Sequence, residues 1–451
     1  MSLLAALPSA DTYEVEGTGA RPSAFAVSEL ATASIAAVGQ ELARLAEALG
    51  LVDKSPHVKI NHRLASLWFG YSFKPDGWDM PSLWDPIAGD YPAADGWIRL
   101  HTNLPHHRAA ALKVLGTTAD KTLVTEAVRE CPISDLETAI VAEGGVAAAM
   151  RSRAEWQDHP QGRAVARDPL IGWQGPRGIT LRDRPQATAA RPLEGLRVLD
   201  LTRVLAGPVS TRTLAGFGAE VLRIDPPEWD EPGVIPDISL GKTCAYLDLK
   251  TPSGLSKFKK LLAQADVFVH GYRPGALDAL GLTKTERDAV APNRVEVTLD
   301  AYGWQGPWAA RRGFDSLVQM SAGIAAAGRE WAKTEKPTPL PVQALDHATG
   351  YLMAAAVLSA LAEAAAHNAV MDARLSLART AELLASLAKT STGEDITTAK
   401  DSDYSKTPEA SGWGPGHRLK PALTVGGAEM RWSLPASKTG SSNAAWPSLN
   451  P

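Results

Sequence analysis

The chain has 451 residues, 45% of them hydrophobic and 21% charged, with a formal net charge of −4. That length allows two or three domains with ample core, and the near-neutral charge gives no electrostatic reason to expect a nucleic-acid partner. Two cysteines, Cys131 and Cys244, lie far apart and outside any metal-ligand spacing, which excludes a disulfide scaffold and fits a reduced, cytoplasmic chain.

No basic segment followed by an apolar run opens the sequence, and no uninterrupted 18-residue apolar stretch occurs, so no membrane partner is expected. Residues 1–20 read as a loose polar tail. Leu30, Ile35, Val38, Leu42, Leu45 and Leu49 recur at helical spacing, predicting an amphipathic helix over about 28–50. Residues 56–110 are rich in Trp, Pro, His and Gly, which predicts short strands and turns. Helices are expected over 105–116, 119–130 and 133–143, with Ser134 and Asp135 as candidate caps. These elements make 21–167 a smaller α+β domain. Residues 168–192 crowd Pro, Gly, Arg and Gln together and read as a linker.

Beyond it the pattern becomes α/β. Strands are expected at 196–201, 218–225, 245–249, 266–270 and 295–299, with helices at 208–216 and 252–264 between them. Such alternation implies βαβ units and a mainly parallel sheet, a Rossmann-like domain over 191–390. No internal repeat relates the two halves. The Ser/Thr/Lys-rich tract 390–411 reads as a flexible surface segment, and 391–451 as a partly flexible end.

Four stretches are candidates for chemistry. The first, Leu201-Thr202-Arg203-Val204-Leu205-Ala206-Gly207-Pro208, joins a strand to a helix and offers free backbone N–H groups outside a strand's carboxyl end; an ordinary β–α turn is the plain alternative. His270-Gly271-Tyr272-Arg273-Pro274-Gly275 offers a flat ring and a phosphate partner. Arg311-Arg312-Gly313-Phe314-Asp315 reads as a solvated basic face when taken alone. Last comes Asp346, in Leu345-Asp346-His347-Ala348-Thr349-Gly350, ahead of an Ala/Leu helix. Its position is that of a helix N-cap or of a carboxylate oriented by helix N–H groups. His101, His106 and His107 cluster, but the adjacent His106 and His107 carry no carboxylate or Cys at ligand spacing and read as helix-start residues, so no metal is expected.

Strung together, these motifs resemble family III CoA-transferases, which include formyl-CoA and carnitine-CoA transferases and α-methylacyl-CoA racemase. The resemblance spans about residues 190–385 and rests on Leu205-Ala206-Gly207-Pro208, Gly218-Ala219-Glu220-Val221, Gly241-Lys242, Leu247-Asp248-Leu249-Lys250, Arg273-Pro274-Gly275, Gly306-Pro307 and Asp346 with Gly350. It implies that Asp346 is the nucleophile of CoA transfer, with coenzyme A thioesters as substrates and no prosthetic group. It further implies CoA contacts from Arg203, Val204, Leu205, Ala206, Tyr272, Arg273 and Arg312, and adenine packing by Leu247 and Leu249. The racemase pattern places a His where this chain has Phe314 before Asp315, so transfer is favoured over two-base proton exchange, with Phe314 and Asp315 as supporting residues. An acyl-CoA racemase and a non-catalytic CoA-binding protein are the rival readings. His347 is read as structural, since neighbours on a helix point apart. The segment around Gly144–Met150 and His159–Gly162 resembles the part that normally follows the CoA domain; here it precedes it. A homodimer is the family's expected assembly.

Overall fold

The computed structural model describes residues 3–446. Its largest sheet has seven strands, in the spatial order Lys242–Tyr246, Glu220–Asp225, Arg197–Leu201, Val267–His270, Val295–Asp300, Ala369–Ser376 and Gly172–Gly178. The first six run parallel and only the last is antiparallel. Counted along the chain, the parallel strands take the order 3-2-1-4-5-6 of doubly wound nucleotide-binding sheets. Helices cover both faces, which is why Val198, Leu199, Val267, Phe268, Val295 and Val297 are all buried and the strands lack clean alternation.

The structure moves some predicted elements. The third parallel strand is Lys242–Tyr246 rather than 245–249, leaving Leu247 and Leu249 beyond its end. Lys242 hid it, because a fully buried lysine in a strand is rare unless its ammonium is paired, as it is here with Asp200 at 3.0 Å. Residues 172–178, within the stretch read as a linker, pair antiparallel with 369–374 at the sheet edge. An exposed edge strand needs no apolar period and tolerates Pro176.

A second unit surrounds the antiparallel sheet of Gly89–Pro92, Trp97–Leu100 and Ala147–Ala149. Helices Pro105–Leu115, Lys121–Arg129 and Ile133–Ala142 close over it, and Tyr91, Ile98, Leu100, Val124, Val128, Leu136 and Ile140 form its core. Asp120 caps the second of these helices through the N–H groups of Thr122 and Leu123. Ser134 and Asp135 prove to lie inside the first turn of the third, which starts after Pro132.

The long helix Ala344–His367 is apolar and long enough to cross a bilayer, yet 94% of its most apolar window is buried inside the protein. Against it lies the helix Val27–Ala48. Leu30, Ile35 and Leu42 share one core with Leu352, Leu358 and the strand residues Val198 and Val267, and Arg44 reaches Glu363 at 2.8 Å.

These two helices correspond in a way the sequence reading passed over. Each begins after a residue of the same backbone conformation, Ala26 (φ −76°, ψ 60°) and Gln343 (φ −75°, ψ 65°). Each then carries an acid as its third residue, in Glu29-Leu30-Ala31-Thr32 and Asp346-His347-Ala348-Thr349. A strand and a side-chain-capped short helix follow both: Val58–Asn61 then His62–Leu67, and Ala369–Ser376 then Leu377–Ser386. Three matched positions, an acid, an Ala and a Thr, are too short a signal to stand out in 451 residues.

Residues 390–411 are tied at several points. The N–H groups of Thr390 and Ser391 donate to Glu29 at 2.7 and 2.8 Å, Asp403 pairs with Arg63 at 2.8 Å, and Glu409–Ser411 pairs as a strand with Gly414–Arg418.

Candidate active site

The strand order reverses between Arg197–Leu201 and Val267–His270, and the crevice outside their carboxyl ends is where such sheets take ligands. Asp200 fixes this corner. Its carboxylate accepts the Thr202 N–H at 2.8 Å, the Thr202 and Thr211 hydroxyls at 2.5 Å each, and the Lys242 ammonium at 3.0 Å. Lys242 also donates to the Pro208 carbonyl at 3.0 Å. Burial pushes Asp200 up, but Lys242 and Arg223 outweigh it and hold the carboxyl below its ordinary range; burial brings Lys242 down to about 8. Strand end, helix start and neighbouring strand are thereby locked together.

From this corner the chain enters an unusual turn. Val204 has φ 64°, a left-handed conformation that is costly for a β-branched residue. Its N–H donates to both carboxylate oxygens of Glu231, at 3.0 and 3.1 Å, and Glu231 is in turn 3.3 Å from Arg223. Such strain persists only where the surroundings hold it, and it concentrates at working sites. The helix Ala206–Gly216 then starts directly beside the start of Ala344–His367. Gly350 permits the approach: a Cβ there would sit 2.4 Å from the Ala206 carbonyl oxygen.

Asp346 stands at this contact. It is the third residue of its helix and not its cap, for Gln343 precedes the first turn without a side-chain bond. The cap is supplied from another helix: Asp315 Oδ2 accepts the N–H groups of Leu345 and Asp346 at 2.9 and 3.0 Å, while its other oxygen accepts from Gln319. Burial, and after it the charge of Asp315, raises the Asp346 carboxyl well above its ordinary range, against a backbone hydrogen bond from Ala206. Asp315 is itself raised to about 6 by burial, a rise its hydrogen-bond donors oppose. With three donors on Asp315, we assign the shared negative charge to Asp315 and the proton to Asp346. Glu29, at the matching position of the first helix, behaves oppositely: the Thr390 and Ser391 N–H groups overcome its burial and lower it.

Two cavities meet at Asp346, and Val204 and Phe314 line both. One, of 390 Å³, runs between Arg203, Ala206, Trp229, Tyr272, Arg273, Asp300 and Arg312. Arg203 donates to the Tyr272 hydroxyl at 3.0 Å and lies 4.0 Å from the Trp229 ring centre. The other, of 480 Å³, opens towards Arg21, Phe69, Tyr71, Trp84, His101 and Tyr404. Phe314 forms part of the wall between them, stacked on His101 at 3.9 Å between ring centres. Burial takes His101 down to about 3, so it is neutral. His347 is likewise lowered to about 3 by burial and stacks on Phe69 at 5.6 Å.

The structure thus brings Arg203, Val204, Ala206, Tyr272, Arg273, Arg312, Phe314 and Asp346 to the first cavity, and Leu205 and Asp315 to the second. Leu247 and Leu249 are not brought there: Leu249 is buried in a core cluster with Leu222 and Phe258, and Leu247 packs against that cluster. His106 and His107 stand at a helix start, as expected, and line the first cavity.

Three residues escaped the sequence reading. Glu231 and Trp229 belong to the loop after Glu220–Asp225, where Trp229-Asp230-Glu231-Pro232-Gly233 offered an acid and a ring near a strand end. Asp300 ends the strand Val295–Asp300, and its position at a carboxyl end of the sheet was the available signal. It accepts the Gly303 N–H at 2.8 Å, its other oxygen lacks a hydrogen-bond partner among the described residues, and burial raises it to about 8.

The first cavity thus combines Arg203, Arg273, Arg311 and Arg312 with the buried carboxyl of Asp346, which the second cavity shares. Residues 193–409 match the model of CoA-transferase family III. The mouse (Mus musculus) succinyl-CoA:glutarate CoA-transferase is 35% identical over 215 residues, which cover 44% of this chain and 49% of the relative. The succinate–glutarate CoA-transferase of Agrobacterium fabrum is 30% identical over 192 residues, 38% of this chain and 48% of the relative. A crystal structure of Rv3272 from M. tuberculosis aligns at 32% identity with a TM-score of 0.40, covering 43% of this chain and 56% of that one. The chain thus spans about half the length of the curated relatives it matches. The stretch that resembles CoA-transferase family III, residues 193–409, is the part that contains Asp346.

Proposed function

We propose that this protein transfers CoA from an acyl-CoA thioester to a carboxylic acid, with Asp346 as the covalent carrier. The observation that carries the reading is the place of Asp346, a buried carboxyl at the junction of two cavities, one of them lined with arginines. CoA lies along the first cavity, its phosphates facing Arg203, Arg273 and Arg312 and its thioester reaching Asp346. The acyl group extends into the second.

Asp346 first loses its proton to solvent; its carboxylate then attacks the thioester carbonyl, the C–S bond breaks, and CoA leaves as thiolate, giving an aspartyl–acyl mixed anhydride. Thiolate attacks the aspartyl carbonyl and releases the donor acid as carboxylate, leaving an aspartyl–CoA thioester. An acceptor carboxylate attacks that thioester, and thiolate returns to the acyl carbonyl of the second anhydride, restoring Asp346. Each step exchanges one activated acyl for another. The Ala206 N–H, on the strained turn held by Glu231, is positioned to stabilise oxyanions that form at Asp346.

Phe314 supports transfer rather than racemisation. It occupies the position of a second base, and the imidazoles of His101, His107 and His347 are buried and strongly disfavour a proton.

Incubation with acyl-CoA and an isotope-labelled carboxylic acid tests the reading. Labelled acyl-CoA forms with the wild type and not with Asp346→Ala. Binding of acyl-CoA without any exchange would instead identify a CoA-binding protein.

A further inference from the structure

Among the described residues, every buried arginine but one has a carboxylate within 3.4 Å: Arg191 with Glu194, Arg212 with Asp237, Arg223 with Asp225, Arg287 and Arg294 with Glu296, and Arg418 with Glu409. The exception is Arg21. It is 7% exposed, and among the described residues it makes no ion pair; burial alone brings it down to about 10, with no carboxylate acting against the shift. An unpaired buried charge is costly and marks a place where a partner is supplied from elsewhere.

Arg21 lines the 480 Å³ cavity that contains Asp346. Its backbone N–H donates to Ser28 Oγ at 3.0 Å and its Nε to the Ser66 carbonyl at 2.8 Å. Those bonds fix the stem and leave the terminal nitrogens of the fork without hydrogen-bond partners among the described residues. The guanidinium passes beside Gly70, where a Cβ would be 3.5 Å from Nη2. The neighbouring Phe69 stacks on His347, the residue after Asp346. The other carboxylate facing this end of the cavity, Asp237, is already taken by Arg212 at 2.6 Å and Arg418 at 3.2 Å.

We infer that Arg21 receives the far carboxylate of a dicarboxylic acid, so that the acids exchanged at Asp346 are short diacids carried as their mono-CoA thioesters. One carboxyl reacts at Asp346; the other forms a bidentate pair with the fork of Arg21, the geometry for which arginine is suited. A monocarboxylic acid of equal length would leave the guanidinium buried and unpaired, so the site discriminates by the absence of a bond as well as by its presence. This inference rests on the transferase reading for the reaction, and on Arg21 for the class of acid.

The test pairs glutarate with valerate, and succinate with butyrate, as acceptors for wild type, Arg21→Gln and Arg21→Lys. The wild type favours each diacid in kcat/KM. Arg21→Gln lowers the diacid-to-monoacid ratio by about tenfold to a hundredfold, the loss expected for a charge-assisted pair, and Arg21→Lys recovers part of it. Calorimetric binding of glutarate to wild type and to Arg21→Gln reads the same contact without turnover. Equal transfer to diacids and monoacids by the wild type overturns the inference and leaves the transferase reading standing. Arg21-dependent glutarate binding without any CoA transfer upholds the anion site and removes the transferase reading. Glutarate binding that Arg21→Gln leaves unchanged overturns the inference.

Discussion

The carboxylate of Asp315 accepts the backbone N–H of Asp346 at 3.0 Å and that of Leu345 at 2.9 Å. One acid therefore caps the helix on which the other is mounted, and the side chain of Asp346 is left to face the cavities. Capping and the proposed reactivity, which a single acid before an apolar helix leaves entangled, fall here to two residues. Replacing Asp315 with Asn keeps an acceptor for the helix N–H groups and removes the neighbouring charge that raises Asp346. The acid limb of kcat/KM, set by deprotonation of Asp346, then moves to lower pH in Asp315→Asn. Full pH–rate profiles of both proteins check this; a limb that stays in place would show that Asp315 does not set the charge of Asp346.

Val204 holds φ 64° because Glu231 grips its N–H with both oxygens. Val204→Gly relieves a left-handed β-branched residue worth about 1–2 kcal/mol, offset in part by the greater freedom of glycine in the unfolded chain. The melting temperature is expected to hold or rise, while KM for acyl-CoA increases because the turn is no longer fixed. Thermal melts and initial-rate kinetics on the same preparation separate the two effects.

Asp300 is raised to about 8 by burial. An acid whose folded pKa lies above its unfolded value, ordinarily about 3.9, favours the folded state most at low pH. That contribution is lost as pH rises through the folded value near 8. Asp300→Asn keeps the bond to Gly303 and removes the titration. The gain in stability of Asp300→Asn over wild type should grow from pH 5 to pH 8, as read by urea unfolding at each pH; a gain independent of pH would contradict it.

Lys242 and Asp200 are fully buried partners at 3.0 Å. Lys242→Met leaves Asp200 charged without its cation and is expected to cost about 3–5 kcal/mol. Lys242→Met combined with Asp200→Asn should recover part of that loss, which denaturant titration of the single and double variants measures.

Much of the fold was legible because its signals are local. Apolar runs such as Leu196–Leu201 and the Gly207-Pro208 helix start announced alternating strands and helices, and the order of motifs led to Asp346. What escaped depends on partners distant in sequence. Lys242 looks unlike a strand residue until Asp200, 42 positions earlier, is placed beside it. The edge strand Gly172–Gly178 is half solvent-facing and shows no period. Arg21, at the start of the smaller domain, looks like any surface arginine; only burial without a carboxylate distinguishes it. The adenine contacts expected of Leu247 and Leu249 followed from the resemblance, whereas here the strand before them ends at Tyr246 and Leu249 turns into the core.

The central claim is a covalent acyl link at Asp346. Wild-type protein is incubated with acyl-CoA, treated with hydroxylamine or borohydride, digested and read by mass spectrometry. The account predicts a hydroxamate or a reduced alcohol on the peptide carrying Asp346, absent when acyl-CoA is withheld. An unmodified Asp346 peptide alongside labelling at another residue, in protein that turns over acyl-CoA, would contradict it.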